Sequence, residues 1–244
     1  MTAQITYSRT IPVRHDVDVF VAGGGPAGVA AALVAARQGR RVFLAEAHTC
    51  FGGMGTAGMV PVFMTFSDGV NFLAEGIGRE VLNALTAEKG AGSVVPVNAI
   101  PAELLKRVYD RLVSEAGVQF AFQTTLVDVI ASGGHVEQAI CWGKSGLFAV
   151  TARVYIDGTG DGDLAAWAGA PFEKGDGDGN LMPGTLCSLW ADVDYDAFRA
   201  SGANVHKLLH QSFADGHFTV KDPHHPGMFR VGRQMTGGNI GHAF

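Results

Sequence analysis

Three glycines, Gly23, Gly25 and Gly28, stand at the spacing G-x-G-x-x-G, and an acidic residue, Glu46, follows 18 positions after the last of them. The chemistry this set suits is dinucleotide binding. A first glycine permits a tight turn, a second lets backbone approach a pyrophosphate, and a third lets a helix and a strand come close. A helix opening here would offer unbonded N–H groups and the positive end of its dipole to the anion. Glu46 adds selectivity, because a carboxylate accepts hydrogen bonds from ribose hydroxyls and repels a 2′-phosphate. Arg40 and Arg41 precede the strand that ends at Glu46, so they are poorly placed to clamp such a phosphate. The expected ligand is the adenosine diphosphate moiety of FAD or NAD, not of NADP. The competing readings are a ligand-free strand–helix turn and, for Glu46, a solvated strand end.

The elements around these residues follow from pattern. Val17–Ala22 reads as a buried strand. Pro26 sits at the first helical position, where its missing N–H costs nothing. The helix it opens is rich in small residues (Ala30, Ala31, Ala32, Ala35, Ala36) and closes at Gly39. Arg41–Glu46 supplies a second strand, and a right-handed crossover makes the two strands parallel neighbours. Residues 1–16 read as a leader strand or tail, and residues 50–70 are glycine-rich without a period. Leu73, Ile77, Val81 and Leu85 predict a helix over 72–85. Leu104, Leu105, Val108 and Leu112 predict another over 101–116, closed by Gly117. Three β-rich runs follow at 118–130, 135–141 and 147–151, punctuated by Gly133-Gly134 and by 143–146 as hairpin turns. A further short strand, Val154–Ile156, leads into Asp157-Gly158-Thr159-Gly160-Asp161. Beyond residue 170 the pattern weakens. The fold class is α/β.

The string VDVFVAGGGPAGVAAALVAARQGRRVFLAE, with Phe51-Gly52-Gly53-Met54-Gly55-Thr56-Ala57-Gly58 after it, resembles the glutathione-reductase-like flavoproteins. More narrowly it resembles the FAD-dependent oxidoreductases that carry a GGMATAG-like loop after the second strand. Ile156–Leu164 is similar to that family's IDATGDGDLA segment, and the resemblance covers about residues 15–190. It implies a Rossmann-like FAD-binding fold: a parallel sheet with helices on its faces, a three-stranded β-meander, and a partial second (substrate) domain. Residues 1–170 would form the FAD-binding domain, with 55–100 an inserted helical segment, and 171–244 an incomplete substrate or cap domain. The resemblance assigns Gly23, Gly25, Pro26, Ala27 and Gly28 to the FAD pyrophosphate and Glu46 to the adenosine ribose. Gly53 and Thr56 would lie along the pyrophosphate and ribityl chain. The backbone of Val127 would meet the adenine, and Gly160 and Asp161 would close over the dinucleotide. The family often has Ala where this chain has Gly55 and Gly158.

The implied activity is hydride transfer between a small organic substrate and the flavin, with no side chain standing out as a catalytic base. Members of the family run on past Phe244, so the resemblance implies a C-terminally truncated chain. A second polypeptide completing the flavin site is therefore one expected partner. A non-catalytic dinucleotide-binding fragment and a thiazole-synthase-like enzyme of the same fold are the alternative functions.

Composition bounds the remaining classes. Glycine fills 34 of 244 positions, about 14%, roughly double average usage. With 47% hydrophobic residues the chain can bury a core and is not low-complexity. The net charge of −5 and the lack of a basic block give a nucleic-acid partner no support. No apolar run approaches a membrane span and no signal peptide is visible, so a soluble cytoplasmic protein is expected. Cys50, Cys141 and Cys187 fit neither a disulfide framework nor a zinc set, and Cys50 reads as an inert thiol. Asp176-Gly177-Asp178-Gly179-Asn180 imitates the start of a calcium loop. It then has Leu181 for the required glycine and Cys187 for the bidentate Glu, and reads as a polar turn. His206 and His210 lie four apart on an expected helix, with His217, His224 and His225 beyond. Lys207 stands where a zinc hydrolase has its Glu, so these read as surface or loop histidines, and no metal is expected.

Overall fold

The computed structural model describes residues 5–218 and 227–243. In chain order its elements are β1 (Val13–Ala22), α1 (Pro26–Arg37), β2 (Val42–Ala45), a 3-10 turn (Gly53–Gly55), α2 (Ile77–Lys89), α3 (Ala102–Glu115), β3 (Gln119–Ala121), β4 (Thr125–Ser132), β5 (His135–Gly143), β6 (Gly146–Asp157), α4 (Asp163–Trp167), β7 (Gly184–Trp190), α5 (Tyr195–Ala200), α6 (Val205–Ala214), β8 (Met228–Gly232) and β9 (Met235–Ala243). They fall into two compact units. The first runs to Phe51 and resumes over Asp110–Phe172; the second comprises Gly52–Tyr109 and the chain from Glu173 on.

The first unit is an α/β domain built on a six-stranded sheet of order β3-β2-β1-β6-β5-β4. β1 pairs in parallel with β2 on one side and with β6 on the other, and β3 extends the parallel part. Phe20, Val21, Ala22, Phe43 and Leu44 are all but fully buried, as expected of central parallel strands covered on both faces. Phe20, Phe43, Phe148 and Val150 gather with Leu126, Ala139 and Cys141 in one apolar cluster. β4, β5 and β6 form an antiparallel meander. Its first turn places Gly133 and Gly134 at φ +57 and +80, the two-residue geometry that matches strand twist and that glycine adopts without strain. α1 starts at Pro26, and Gly39 just beyond it has φ +77. Its inner face carries Val29, Ala32 and Leu33, each fully buried; burying a leucine of this kind contributes about 2 kcal/mol.

The observed elements differ from the sequence expectation in four places. The run expected over 118–130 is two strands, β3 paired in parallel with β2 and β4 paired antiparallel with β5. β1 begins at Val13 rather than Val17, because Val13–Val17 pair with Ala149–Ala152. That same pairing fuses the expected strands 147–151 and 154–156 into the single twelve-residue β6. The helix expected over 72–85 runs from Ile77 to Lys89. Gly76 stands before it at φ +63, and Phe72 is held outside it, stacked on Phe66 and under the Arg79 guanidinium.

The second unit centres on a three-stranded antiparallel sheet of order β7-β9-β8. β9 carries Gly237-Gly238 at its middle, against strand propensity. The reason is close approach: a Cβ on Gly237 would lie 2.3 Å from the Cβ of Pro61. Pro61 is fixed in turn by its carbonyl, which accepts from Ile100 N–H at 2.8 Å. α2 buries Val81, Leu82 and Leu85, and its Glu88 pairs with Arg107 of α3 at 2.8 Å. Asp194 and Asn204 cap α5 and α6 through their side-chain oxygens. Among the described residues no helix is long and apolar enough to cross a membrane.

Candidate functional site

The carboxyl ends of β1, β2 and β6 lie side by side, the place where open α/β sheets bind ligands. The loop leaving β1 is shaped by contact. Gly23 has φ +90, and a Cβ on it would lie 2.3 Å from the Gly158 carbonyl oxygen. Its N–H donates to Ala45 O at 2.8 Å. A Cβ on Gly28 would fall 1.9 Å from Gly23 O, so helix and strand could not close on each other. Gly25 is different: a Cβ there would meet only Gly158 O, at 4.0 Å. Of the three glycines in the motif, Gly25 alone has open space where a Cβ would stand. Gly25 is also the N-cap of α1 and its side-chain position offers no cap. Val29 N–H makes the bond to Gly25 O at 2.9 Å, so the N–H groups of Ala27 and Gly28 ahead of it have no partner within the helix. Pro26 and Ala27 are exposed beside them.

Glu46 is 4% exposed, which removes the solvated strand end as an explanation. Its Oε2 accepts from Gly24 N–H at 2.6 Å and its Oε1 from His48 N–H at 2.7 Å, with His48 Nδ1 at 2.9 Å. Oε2, with one such partner, keeps a further lone pair, so these bonds orient Glu46 and leave it able to accept from a ribose hydroxyl. Arg41 lies at the other end of β2, where its guanidinium contacts Asp16 O and Asp18; it does not serve a 2′-phosphate.

The loop after β6 joins the same site. Gly158 N–H donates to Ala22 O at 2.7 Å, and Gly158 is wedged against Gly23 and Gly28. Gly160, at φ +91 with open space around it, and Asp161 are exposed beyond. Two residues that the sequence reading passed over hold this loop. Asp157 Oδ1 accepts from the Thr159 amide at 3.0 Å and hydroxyl at 2.7 Å, and Oδ2 accepts from Ala165 N–H at 2.9 Å. Thr159 Oγ1 in turn accepts from Gly162 and Asp163 N–H, both at 3.1 Å. Partial burial pushes the Asp157 carboxyl upward, but the hydrogen bonds from Ala165, Thr159 and Leu164 outweigh it and hold its pKa below the usual range. The signal was present: Asp two residues before Thr at a strand end is a turn-forming pair. Gly24 was also passed over, although it donates to Glu46.

Val127 lies on β4, the edge strand. Its ladder with β5 steps from Leu126↔Cys141 to Asp128↔Ile140, so Val127 is left out of register. A bulge on an edge strand presents backbone groups away from the sheet, as a backbone contact to adenine needs. Thr124, three residues earlier, donates its N–H to Glu46 O at 2.9 Å, which ties this strand to the carboxyl end of β2. Gly53 and Thr56 are built into the second unit. There Thr56 is 2% exposed, and its hydroxyl and methyl lie under Gly52, a Cβ on which would come within 2.7 Å of both.

The remaining candidates go elsewhere. Asp176 directs its carboxylate into its own turn, accepting from Asp178 N–H at 3.0 Å, Asn180 N–H at 3.1 Å and Asn180 Nδ2 at 3.0 Å. His206 and His210 lie exposed on α6 and His217 is exposed after it; His224 and His225 lie outside the described residues. Among the described residues no three His, Cys, Asp or Glu side chains converge as a metal site. None of the three cysteines is bridged, and burial pushes the Cys141 thiol up to about 12.

The parallel sheet, the glycine turn and the acidic residue define a dinucleotide-binding protein of the Rossmann class. The chain belongs to the FAD dependent oxidoreductase family, which matches residues 18–237, and FAD is accordingly its cofactor. The residues present fit it: an uncrowded Gly25, unbonded helix N–H groups, and a buried carboxylate at the carboxyl end of β2. Thiamine thiazole synthase of Methanococcus aeolicus is 29% identical over 189 residues, covering 72% of this chain and 66% of that protein. Two solved structures share the fold over 92% of this chain with a TM-score of 0.51. One is a geranylgeranyl bacteriochlorophyll reductase-like protein from Thermoplasma acidophilum, 18% identical and covered over 56% of its length. The other is the myxobacterial halogenase CndH, 12% identical and covered over 53%. The chain thus spans just over half to about two thirds of the length of these relatives.

Proposed function

We propose that the protein is a glutathione-reductase-like flavoprotein that oxidises or reduces a small organic substrate by hydride transfer to or from FAD. The observation that carries this reading is the single uncrowded glycine, Gly25, in a turn whose other glycines are forced by contact. Bound FAD supplies the two-electron chemistry, and the protein supplies binding and orientation. The Ala27 and Gly28 amides take the pyrophosphate, Glu46 takes the ribose hydroxyls, and the Val127 bulge takes the adenine edge. Gly160 and Asp161, held by Asp157 and Thr159, close over the nucleotide.

The thiazole synthase relative favours a second reading, an enzyme that builds a thiazole on an adenosine diphosphate moiety, since the same turn and the same Glu46 would hold that moiety. The ligand retained by the purified protein separates the two. Denaturing release followed by mass spectrometry is expected to give FAD, with a flavin absorption spectrum in the native sample. An adenylated thiazole in place of FAD would establish the second reading and overturn the first.

A further inference from the structure

We propose that the second unit carries a ligand site of its own, for a small organic anion with an apolar body. A cavity of about 510 Å³ lies between the end of α2, the segment that follows it, the start of α3 and the β8–β9 turn. That volume is in the range that holds small organic ligands. Two cationic residues line it from different elements, Lys89 from the last turn of α2 and Arg233 from the β8–β9 turn, and Ser93 lines it as well. Val95, Leu104 and Val231 give it apolar walls, and no Asp or Glu is among the described residues that line it.

Lys89 is the informative member. Its Nζ donates to Pro96 O at 2.8 Å and Val97 O at 2.7 Å, which leaves one of three N–H donors. Neither it nor Arg233 is within ion-pair distance of a carboxylate among the described residues. Burial without a counter-charge pulls the Lys89 ammonium down to about 8. A purely structural role, tying down the segment after α2, accounts for the two carbonyl bonds. It does not account for a second cationic residue, without an ion pair among the described residues, lining the same cavity. Arg233 is held there by its backbone: its carbonyl accepts from Arg230 Nη2 at 2.6 Å, and a guanidinium presents a planar fork suited to a carboxylate. A ligand carboxylate would bridge Arg233 and the third Lys89 donor while its hydrocarbon part displaced water from the valine and leucine walls. This site does not depend on the flavin reading.

The test is calorimetric titration of the full chain with hexanoate, with hexan-1-ol and inorganic phosphate as controls. Hexanoate is expected to bind saturably and more tightly than either control. Arg233→Gln is expected to weaken hexanoate by about tenfold, the loss of one charge-assisted hydrogen-bonded contact. Val94→Glu, at a half-exposed cavity position, sets a tethered carboxylate beside the cations and is expected to compete with hexanoate to a similar degree. Both sites are on the surface, and an unchanged melting temperature in each variant shows that the fold is retained. The proposal is overturned by no saturable binding, by hexan-1-ol or phosphate binding as tightly as hexanoate, or by both variants retaining hexanoate affinity within about twofold.

Discussion

In the loop 23–28 a side chain at Gly23, Gly24 or Gly28 would collide with neighbouring backbone or buried side chains, whereas one at Gly177 or Gly179 would meet nothing within 4 Å. Both loops are glycine-rich and both precede acidic or polar residues, yet glycine serves different ends in them. Gly177 and Gly179 are there for their backbone angles, φ +86 and +89, in a turn closed on itself by Asp176. Gly23 and Gly28 are there to let the end of β1, the start of α1 and the loop after β6 occupy nearly the same space. That crowding makes Gly25 meaningful, because it is the uncrowded position in an otherwise closed wall. A glycine-rich loop reads as a ligand site when its crowding is enforced around one uncrowded position, and as a turn when every glycine faces solvent.

The contrast can be broken by substitution. The largest effect is expected from Gly28→Ala. Its Cβ would strike the Gly23 carbonyl, a backbone atom that cannot move aside, so chemical denaturation should show a loss of about 3 kcal/mol or more, with flavin lost as well. Retained stability and retained flavin would mean that α1 and β1 are not locked by this contact. Asp157→Asn comes next, at about 1 kcal/mol near neutral pH, discounted because the group is partly solvated. The sign of its pH dependence follows from its lowered pKa. The carboxylate contributes fully above the unfolded value, and that contribution is lost as pH falls through the lower folded value. The stability gap between wild type and variant should therefore close on acidification; a gap that widens in acid would contradict the hydrogen-bond assignment. The smallest effect on the site is expected from Gly177→Ala. A left-handed residue there costs about 1 kcal/mol, and flavin content should not change.

The first βαβ unit was legible because its signals are local. Pro26 opens the helix, Gly39 follows its end, and the valine and phenylalanine runs of β1 and β2 need no distant partner to be recognised. What escaped depends on contacts far along the chain. Residues 1–16 leave a leader strand and a tail both open until β6 is beside Val13–Asp16, and the expected strands 147–151 and 154–156 stay separate until β1 pairs along both. β9 was unreadable because Gly237 has no strand propensity and owes its place to Pro61, 176 residues earlier. At the site, the residues expected to touch the ligand were visible in the G-x-G-x-x-G spacing and in Glu46. The residues that hold those in place, Gly24, Asp157 and Thr159, act through hydrogen bonds that the spacing does not encode.

The central claim is that Gly25 is open for a pyrophosphate and for nothing in the protein. It is tested most directly by measuring FAD affinity and unfolding free energy together for wild type and Gly25→Ala, with FMN, which lacks the adenosine diphosphate half, as the control ligand. The account predicts stability within about 1 kcal/mol of wild type, FAD affinity lower by about tenfold or more, and wild-type preference for FAD over FMN. Undiminished FAD affinity in the variant, or equal binding of FMN by the wild type, would contradict it.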